Sequence, residues 1–372
     1  MRIIIISNTL WNVINFRGDF LNQLLNNDHE ILIIAKKDKY INQIQSNKIK
    51  FVDFSFESKY SLFFLNFIKV FNLYFHIKEF KPSLVLSFSM IPNIFVGFVN
   101  LMFPNIFFAN TFTGLGNAFV SGRISKLISL FILKISQKNI NKFIFHNDID
   151  KQIFINNRIS DYTNSEVVLG SGIDFNKYKQ SKNKFKNFKS FLFIGRLIKP
   201  KGINEYLLAS EKIIKKYPNT IVGVLGEYKP SHPKTININI YKKLLKSKNI
   251  KYHNYIEDHY QYNILLNQYD CIVLPSYREG LSKSLIEACY LGKSIIACRV
   301  PGTKEVCIDN YNGYTCEVKN QDSLSEAMEK FILIERKKYE IFSDNSKKLS
   351  KKFDYQLVYT TYFNIIKYLQ NL

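Results

Sequence analysis

The chain has 372 residues, 46% of them apolar, which excludes a disordered chain and exceeds what one ordinary hydrophobic core organises, so two domains are expected. Lys and Arg number 52 against 30 Asp and Glu, and the net charge of +22 favours an anionic partner: nucleic acid, anionic lipid or a phosphorylated substrate. Aromatic residues reach 15%, mostly Phe and Tyr, which fits a protein working at a membrane surface.

Arg2 to Ser7 (RIIIIS) opens the chain as a strand, and its apolar run from Ile3 is only four residues long, too short for a secretion signal. Arg17, in INFRGDFL, falls at the start of the first helix, as a surface residue or an anion contact. Glu30 to Ala35 reads as the next strand, and Tyr60 to Phe80 is crowded with Phe, Leu, Ile and Tyr around Lys69 and Lys78. Ser83 to Gly122 carries no charge, but Pro92–Asn93 and Pro104–Asn105 cut it below the ~20 apolar residues of a membrane span. Strand (Leu84 to Phe88), helix and buried strand are expected there instead. Arg123 to Lys142 has five basic residues and no acid. Arg123, Lys126, Lys134 and Lys138 fall near one helical face, while Ile124, Leu127, Ile128, Phe131 and Ile135 fill the other. Such a helix either lies in a bilayer interface or packs its apolar face into a core; membrane contact is expected of this segment or of Tyr60 to Phe80. Phe143 to Phe145 is a strand, followed by His146 in HND, which a helix cap would also explain. Asp174 to Ser190, DFNKYKQSKNKFKNFKS, is rich in Lys and Asn and reads as a linker.

The second half opens like the first, with a strand at Phe191 to Gly195, and alternates strand and helix through Ile221 to Leu225 and Cys271 to Leu274. That alternation in both halves argues two parallel α/β sheets. GRLIKPKG (Gly195 to Gly202) follows the opening strand and precedes a helix near Ile203, placing Arg196 and Lys201 beside a helix N-terminus, where a diphosphate binds well. Neither GxxxxGK[ST] nor GxGxxG follows either opening strand, which disfavours an NTPase or a nicotinamide enzyme. After the strand Cys271 to Leu274 comes PSYREGLSKSLIEACYLG, with a helix from Lys283 and a stop at Gly292. Its two glutamates, Glu279 and Glu287, are eight positions apart. On one helix that spacing is ~12 Å at about 1.5 Å per residue, wider than the roughly 5–9.5 Å of a glycosidase pair, and it suits two contacts along an elongated ligand. The five cysteines (Cys271, Cys289, Cys298, Cys307, Cys316) form no CxxC and match no zinc or iron–sulfur spacing, so they read as reduced, buried apolar residues.

Together GRLIKPKG, YDCIVLPSYREG, the E-x7-E spacing and the trailing GKSIIACRVPGTKEV…NGYTCEV resemble the retaining family-4 glycosyltransferases of the GT-B fold. The likeness is strongest over about 190–320 and continues through IISNTLWNVINFRGDFL and VVLGSGIDFNKY. Within that family the chain is similar to bacterial enzymes of O-antigen, capsule and N-glycan assembly that extend undecaprenyl-diphosphate-linked sugars. The resemblance implies an α/β protein of two Rossmann-like domains facing a central cleft. Residues 1–170 would bind the acceptor, 171–351 the nucleotide-sugar, and a C-terminal helix at about 352–372 would cross back to the first domain.

By the same resemblance, Gly195, Arg196 and Lys201 would hold the donor diphosphate. Glu279 would contact the transferring sugar beside backbone N–H groups of Gly280, Leu281 and Ser282. Glu287 would accept from the ribose hydroxyls, and Tyr255 and Ile256 would seat the uracil. Arg196, Lys201 and Glu279 are the implied catalytic set, with no metal and no cofactor, because the nucleotide-sugar is a substrate. Attack would come from the front face, the donor phosphate helping to take the acceptor proton. Many relatives place a His in the first domain; Phe108 to Phe119 (FANTFTGLGNAF) has none. Thr113 or the backbone of Gly114-Leu115-Gly116 would replace it, with His146 the nearest histidine. Arg17, Gly114 and Gly116 are the acceptor-side candidates. The implied partners are a UDP-sugar (N-acetylhexosamine first, hexose next), a lipid-diphosphate-linked saccharide and the anionic inner face of a bacterial membrane, and no nucleic acid. A sugar-nucleotide epimerase of the same fold would lack both motifs. A basic lipid-binding module without catalysis would explain the charge but not the motifs.

Overall fold

The computed structural model describes residues 1–56, 64–115, 119, 122–180 and 189–371. The chain divides into two compact units, Met1–Gly172 with Tyr355–Leu372, and Ile173–Asp354.

The first unit runs β1 (Arg2–Thr9), α1 (Leu10–Asn26), β2 (Glu30–Lys36), β3 (Ile49–Asp53), α2 (Phe64–Phe80), β4 (Leu84–Phe88), α3 (Met90–Asn100), β5 (Phe107–Phe112), α4 (Arg123–Ser136), β6 (Lys142–Phe145), α5 (Asp148–Asn156) and β7 (Ser165–Val167). Its strands form one parallel sheet in the order β3-β2-β1-β4-β5-β6-β7. The unbroken isoleucine run of β1 follows from this: a central parallel strand is covered on both faces, and Ile3 to Ile6 are fully buried. Alternation along the strands sends Ile3, Ile5, Leu84 and Leu86 to one core and Ile4, Ile6 and Val85 to the other.

The second unit runs β8 (Ser190–Ile194), α6 (Ile203–Lys216), β9 (Ile221–Leu225), α7 (Ile238–Lys246), β10 (Ile250–His253), α8 (His259–Gln268), β11 (Cys271–Leu274), α9 (Lys283–Tyr290), β12 (Ser294–Cys298), β13 (Gly313–Cys316), α10 (Gln321–Ile332) and α11 (Arg336–Ser350). Its sheet is also parallel, ordered β10-β9-β8-β11-β12-β13. Gly292 does end α9, in the left-handed region at φ 69°. The last helix, α12 (Tyr355–Gln370), packs in the first unit. There Tyr359, Tyr362 and Phe363 surround the Phe20 ring, and Thr361 Oγ1 donates to Glu166 at 2.8 Å.

Two expectations change. The segment 174–190 is not a linker throughout. Asp174 caps a short 3-10 turn at Phe175–Lys177, Phe175 stacks on Tyr290 at 4.3 Å, and Tyr178 is buried, because these aromatic residues complete the packing around α9. The basic amphipathic segment ends as a helix at Ser136, so Lys138 lies in the following turn. This helix is not a core helix with a solvated lysine face. Its apolar stripe is the exposed one, with Ile124 75%, Leu127 66% and Phe131 66% accessible. The side turned inward carries Leu133 and Ser136, and Gly97 of α3 meets it so closely that a Cβ there would lie 2.3 Å from the Ser136 oxygen. On α2, Ile68, Phe71 and Phe75 are exposed in the same helical layer, since α2 and α4 both border α3.

Gly97→Ala is therefore expected to wedge α3 from α4 and destabilise the first unit by about 1–3 kcal/mol. A urea titration followed by the fluorescence of Trp11, the single tryptophan, measures this; an unchanged midpoint would show that the two helices adjust freely.

Candidate active site

Every strand of the second sheet is parallel, so the loops after β8, β9, β10 and β11 emerge at one edge. In open α/β sheets ligands sit at that carboxyl edge, where the strand order reverses. Here the reversal lies between β8 and β11, and these two strands carry the two motifs. After β8 come Gly195 and Arg196, then a 3-10 turn at Lys199–Lys201 that ends in Gly202 at φ 74°. A Cβ on Gly202 would lie 2.1 Å from the Pro275 carbonyl oxygen, so only glycine lets the loops after β8 and β11 approach this closely. Tyr277 N–H donates to Pro200 O at 2.9 Å and ties them together.

The result is an ion pair across the switch point. Lys201 Nζ lies 2.5 Å from Glu279 Oε1, with the two side chains 20% and 12% exposed. Glu279 is held from behind by the loop after β12: its N–H donates to Pro301 O at 3.1 Å, and Ser282 N–H donates to Gly302 O at 3.1 Å. The Ser282 N–H is thus already committed and is not open to a ligand, a correction to the expected set of donor N–H groups. The helix α9 starts at Lys283, so Glu279 stands in the turn before it, and a spacing along one helix does not describe the two glutamates. Their surroundings differ instead: Glu279 faces Lys201, while Glu287 is buried and accepts from Tyr178 and Tyr262. Two carboxylates so differently engaged do not form an acid–base dyad. The Ser282 side chain leaves the N-terminus of α9 uncapped at the same edge.

Arg196 is exposed, and the loop after β9 lies beside it. Lys199 N–H donates to Lys234 O at 2.9 Å and Ile236 N–H to Leu197 O at 3.0 Å, which brings Lys229, His232 and Lys234 toward Arg196. Burial, then Arg196 and the two lysines, hold the His232 pKa below its ordinary value. Sequence reasoning missed this basic loop; its signal was EYKPSHPK directly after a strand. Tyr255 and Ile256 stand in the loop after β10, with Tyr255 46% exposed, and α8 follows at once.

In the first unit the corresponding reversal lies between β1 and β4. Ser89, just after β4, has φ 84°, a strained conformation for a serine, fixed by its N–H to Thr111 O at 3.0 Å and by a 3.4 Å contact between its Oγ and Thr113 Oγ1. Gly114 follows at φ 130°, while Gly116 lies outside the described residues. Arg17 is not at the start of the first helix. It sits two turns into α1 and is 6% exposed, because its guanidinium stacks 3.7 Å over the Phe88 ring. Burial lowers its pKa to about 10, with Tyr362 and Tyr359 opposing. His146 is also buried, its Nε2 without a partner, and burial followed by Arg17 takes its pKa down to about 3. The helix cap in HND is Asn147, which accepts from Asp150 N–H at 2.9 Å. Among the described residues no group of three His, Cys, Asp or Glu is placed to hold a metal ion, and all five cysteines are buried free thiols.

Residues 174–349 match the family model of the glycosyl transferases group 1, and residues 2–147 match that of the glycosyl transferase 4-like domain. The chain is 24% identical over 388 aligned positions to the N,N′-diacetylbacillosaminyl-diphospho-undecaprenol alpha-1,3-N-acetylgalactosaminyltransferase of Campylobacter jejuni, covering 98% of each. It is 26% identical over 208 positions to the capsular polysaccharide biosynthesis glycosyltransferase CapM of Staphylococcus aureus, covering 53% of each, so it spans about half the length of that relative. Among solved structures, sucrose-phosphate synthase of Thermosynechococcus elongatus has the same fold at a TM-score of 0.79 and 15% identity, covering 100% of this chain and 99% of that one. Anabaena HepE in complex with UDP and glucose superposes at 0.75 and 13% identity, covering 99% of each.

The buried His146 makes a pH prediction. Its pKa in the folded chain lies below the ordinary 6.5, so folding requires the neutral ring. The stability this contributes is complete above pH 6.5 and is lost as the pH falls toward 3, where only the unfolded chain takes up the proton. At about 1.4 kcal/mol per pH unit, wild type should lose roughly 2–3 kcal/mol more than His146→Asn between pH ~7.5 and ~4.5. Urea titrations at the two pH values, read by Trp11, measure the difference; parallel losses would mean the ring is not held neutral.

Proposed function

Because the chain belongs to the glycosyltransferases, a 4-like domain followed by a group 1 domain, we propose that it transfers a sugar, with retention, from a UDP-sugar to an undecaprenyl-diphosphate-linked saccharide in surface polysaccharide or glycan assembly. The observation that carries this reading is the Lys201–Glu279 pair at the reversal between β8 and β11. It sets a cation for the departing diphosphate beside a carboxylate for the hydroxyls of the sugar. Negative charge develops on that diphosphate as the glycosidic bond breaks, and fixed cations stabilise it most where water is excluded. Arg196 is the second cation, and Gly195 keeps the backbone before it slender. Leu281, Gly280 and the N-terminus of α9 supply the dipole side of the same anion site. Tyr255 and Ile256 pack against the uracil, and Glu287 accepts from the ribose.

The Campylobacter relative, named as an N-acetylgalactosaminyltransferase acting on a diphospho-undecaprenol, supports N-acetylhexosamine as the donor sugar and a lipid diphosphate as the acceptor. HepE, solved with UDP-glucose, favours a hexose as the second reading. On the acceptor side this reading uses Gly114, Gly116 and Arg17, whose guanidinium is held in place by stacking on Phe88.

A lipid-linked acceptor requires the protein to work at a membrane. Among the described residues no helix is long and apolar enough to cross one. The exposed stripe of α4, with Arg123 and Lys134 flanking it and Ile68, Phe71 and Phe75 on α2 nearby, supports peripheral attachment to the anionic cytoplasmic face. Each basic residue near such a surface contributes about 1 kcal/mol, and each large apolar side chain fully buried in the interface about 1.5–3 kcal/mol.

Two outcomes are expected. Glu279→Ala and Lys201→Ala should each lower turnover by about 10²–10³ in an assay with radiolabelled UDP-sugars and short lipid-diphosphate acceptors, while still sedimenting with vesicles. Wild-type turnover on no UDP-sugar of the panel would overturn the donor assignment and leave a transferase with another donor, or the lipid-binding module, as the reading. Leu127→Glu with Phe131→Glu should cut sedimentation with phosphatidylglycerol vesicles at least ~10-fold without moving the unfolding midpoint, since both residues face solvent. Undiminished sedimentation would remove the membrane role of α4.

A further inference from the structure

Glu287 is 5% exposed, and both of its oxygens accept a phenol: Tyr178 donates to Oε1 at 2.6 Å and Tyr262 to Oε2 at 2.7 Å. The two tyrosines come from different parts of the second unit. Tyr178 ends the short turn before β8 that Phe175 anchors on Tyr290. Tyr262 lies in the first turn of α8, directly after the loop that carries Tyr255 and Ile256. Lys283 Nζ, 4.0 Å from Oε1 on the same helix, supplies the opposing charge.

A carboxylate offers about four lone-pair positions. The phenols take one on each oxygen and fix the direction in which the other points. One acceptor position remains on each oxygen, and two such positions on one carboxylate match a vicinal diol, which presents two O–H donors from adjacent carbons. A carboxylate on a flexible glutamate would have to be ordered when such a diol binds; here it is ordered beforehand, which lowers the cost of binding. The arrangement also makes loss of one diol hydroxyl costly, because the second acceptor position of a buried, charged oxygen then goes unfilled.

We propose that Tyr178 and Tyr262 are positioning residues that lock the Glu287 carboxylate for the cis-diol of a ribose, so that the site selects ribonucleoside over deoxyribonucleoside diphosphates. The inference rests on the assignment of Glu287 to the ribose. Because Tyr262 lies in the first turn of the helix that follows the proposed base loop, it also couples the position of the base to that of the sugar.

The test uses the full chain and titration calorimetry with UDP and 2′-deoxy-UDP. Tyr262→Phe and Tyr178→Phe should each weaken UDP about five- to tenfold and 2′-deoxy-UDP less than about twofold, so the preference for UDP shrinks. Tyr262 is only partly buried, so its Phe variant alone decides the matter if Tyr178→Phe does not fold. An unchanged preference in the Phe variants overturns the inference. Tighter UDP binding also overturns it, since the phenols would then be blocking the carboxylate rather than aiming it. Glu287→Ala separates the two levels. If it abolishes the preference while the Phe variants keep it, only the tyrosine roles fall; if it too keeps the preference, the ribose assignment falls with them.

Discussion

At Gly202 two loops pass so closely that a Cβ would sit 2.1 Å from the Pro275 oxygen, and the candidate site depends on that approach. The φ of 74° sends the chain from the turn at Lys199–Lys201 straight into α6, and the missing side chain lets the loop after β11 settle against it. Lys201 thereby meets Glu279 across the point where the strand order reverses. A second glycine supports the pair from the other side. At Gly302, with φ 83°, a Cβ would lie 2.6 Å from the Glu279 carbonyl, and the backbone bonds from Glu279 and Ser282 to the loop after β12 require that proximity. Glu279 is thus fixed by main chain on two sides before its side chain does anything, which is the condition for a site that reorganises little during reaction.

The helical layer of α2, α3 and α4 obeys a different constraint. Ordinary amphipathic helices turn their apolar stripe inward. In α4 the contact with α3 runs through Gly97 and Ser136 at a backbone distance, so Leu133 is buried beside Ser136 while Ile124, Leu127, Ile128 and Phe131 face out. Exposing Ile124, Leu127, Ile128 and Phe131 together on one helix is costly in water unless another apolar medium covers them. The surrounding sequence is free of acid from Lys81 to Asn147, so the electrostatics of this layer point the same way as its hydrophobicity.

Much of the fold was legible because parallel strands covered on both faces leave unbroken apolar runs, and RIIIIS, LVLSF, IVGVL and CIVL are such runs. The glycine-flanked cations and the paired glutamates were legible because they sit at the carboxyl ends of those strands. What escaped was tertiary. Nothing in INFRGDFL says that Arg17 lies under Phe88, since the ring comes from a strand far along the chain. The aromatic residues of DFNKY gave no periodic signal because they fold as a single turn, held by Tyr290 and Glu287 of a distant helix. The strain at Ser89 has no sequence mark at all, because a serine there resembles any helix cap.

The neutralisation of Lys201 by Glu279 bears on how such a site distinguishes its ligands. A bare diphosphate placed against Lys201 would also meet the Glu279 carboxylate, and the repulsion between like charges offsets part of the gain. A diphosphate bearing a sugar puts hydroxyl donors where the carboxylate is, so the same glutamate becomes attractive. Under the proposed function the pair would reward the intact donor and loosen its hold once the sugar has moved to the acceptor. The positive charge that would draw a diphosphate in stands elsewhere: Arg196 is exposed, with Lys229 and Lys234 around the same His232. On that proposal attraction and discrimination would fall to different cations, a division that the close approach at Gly202 makes possible.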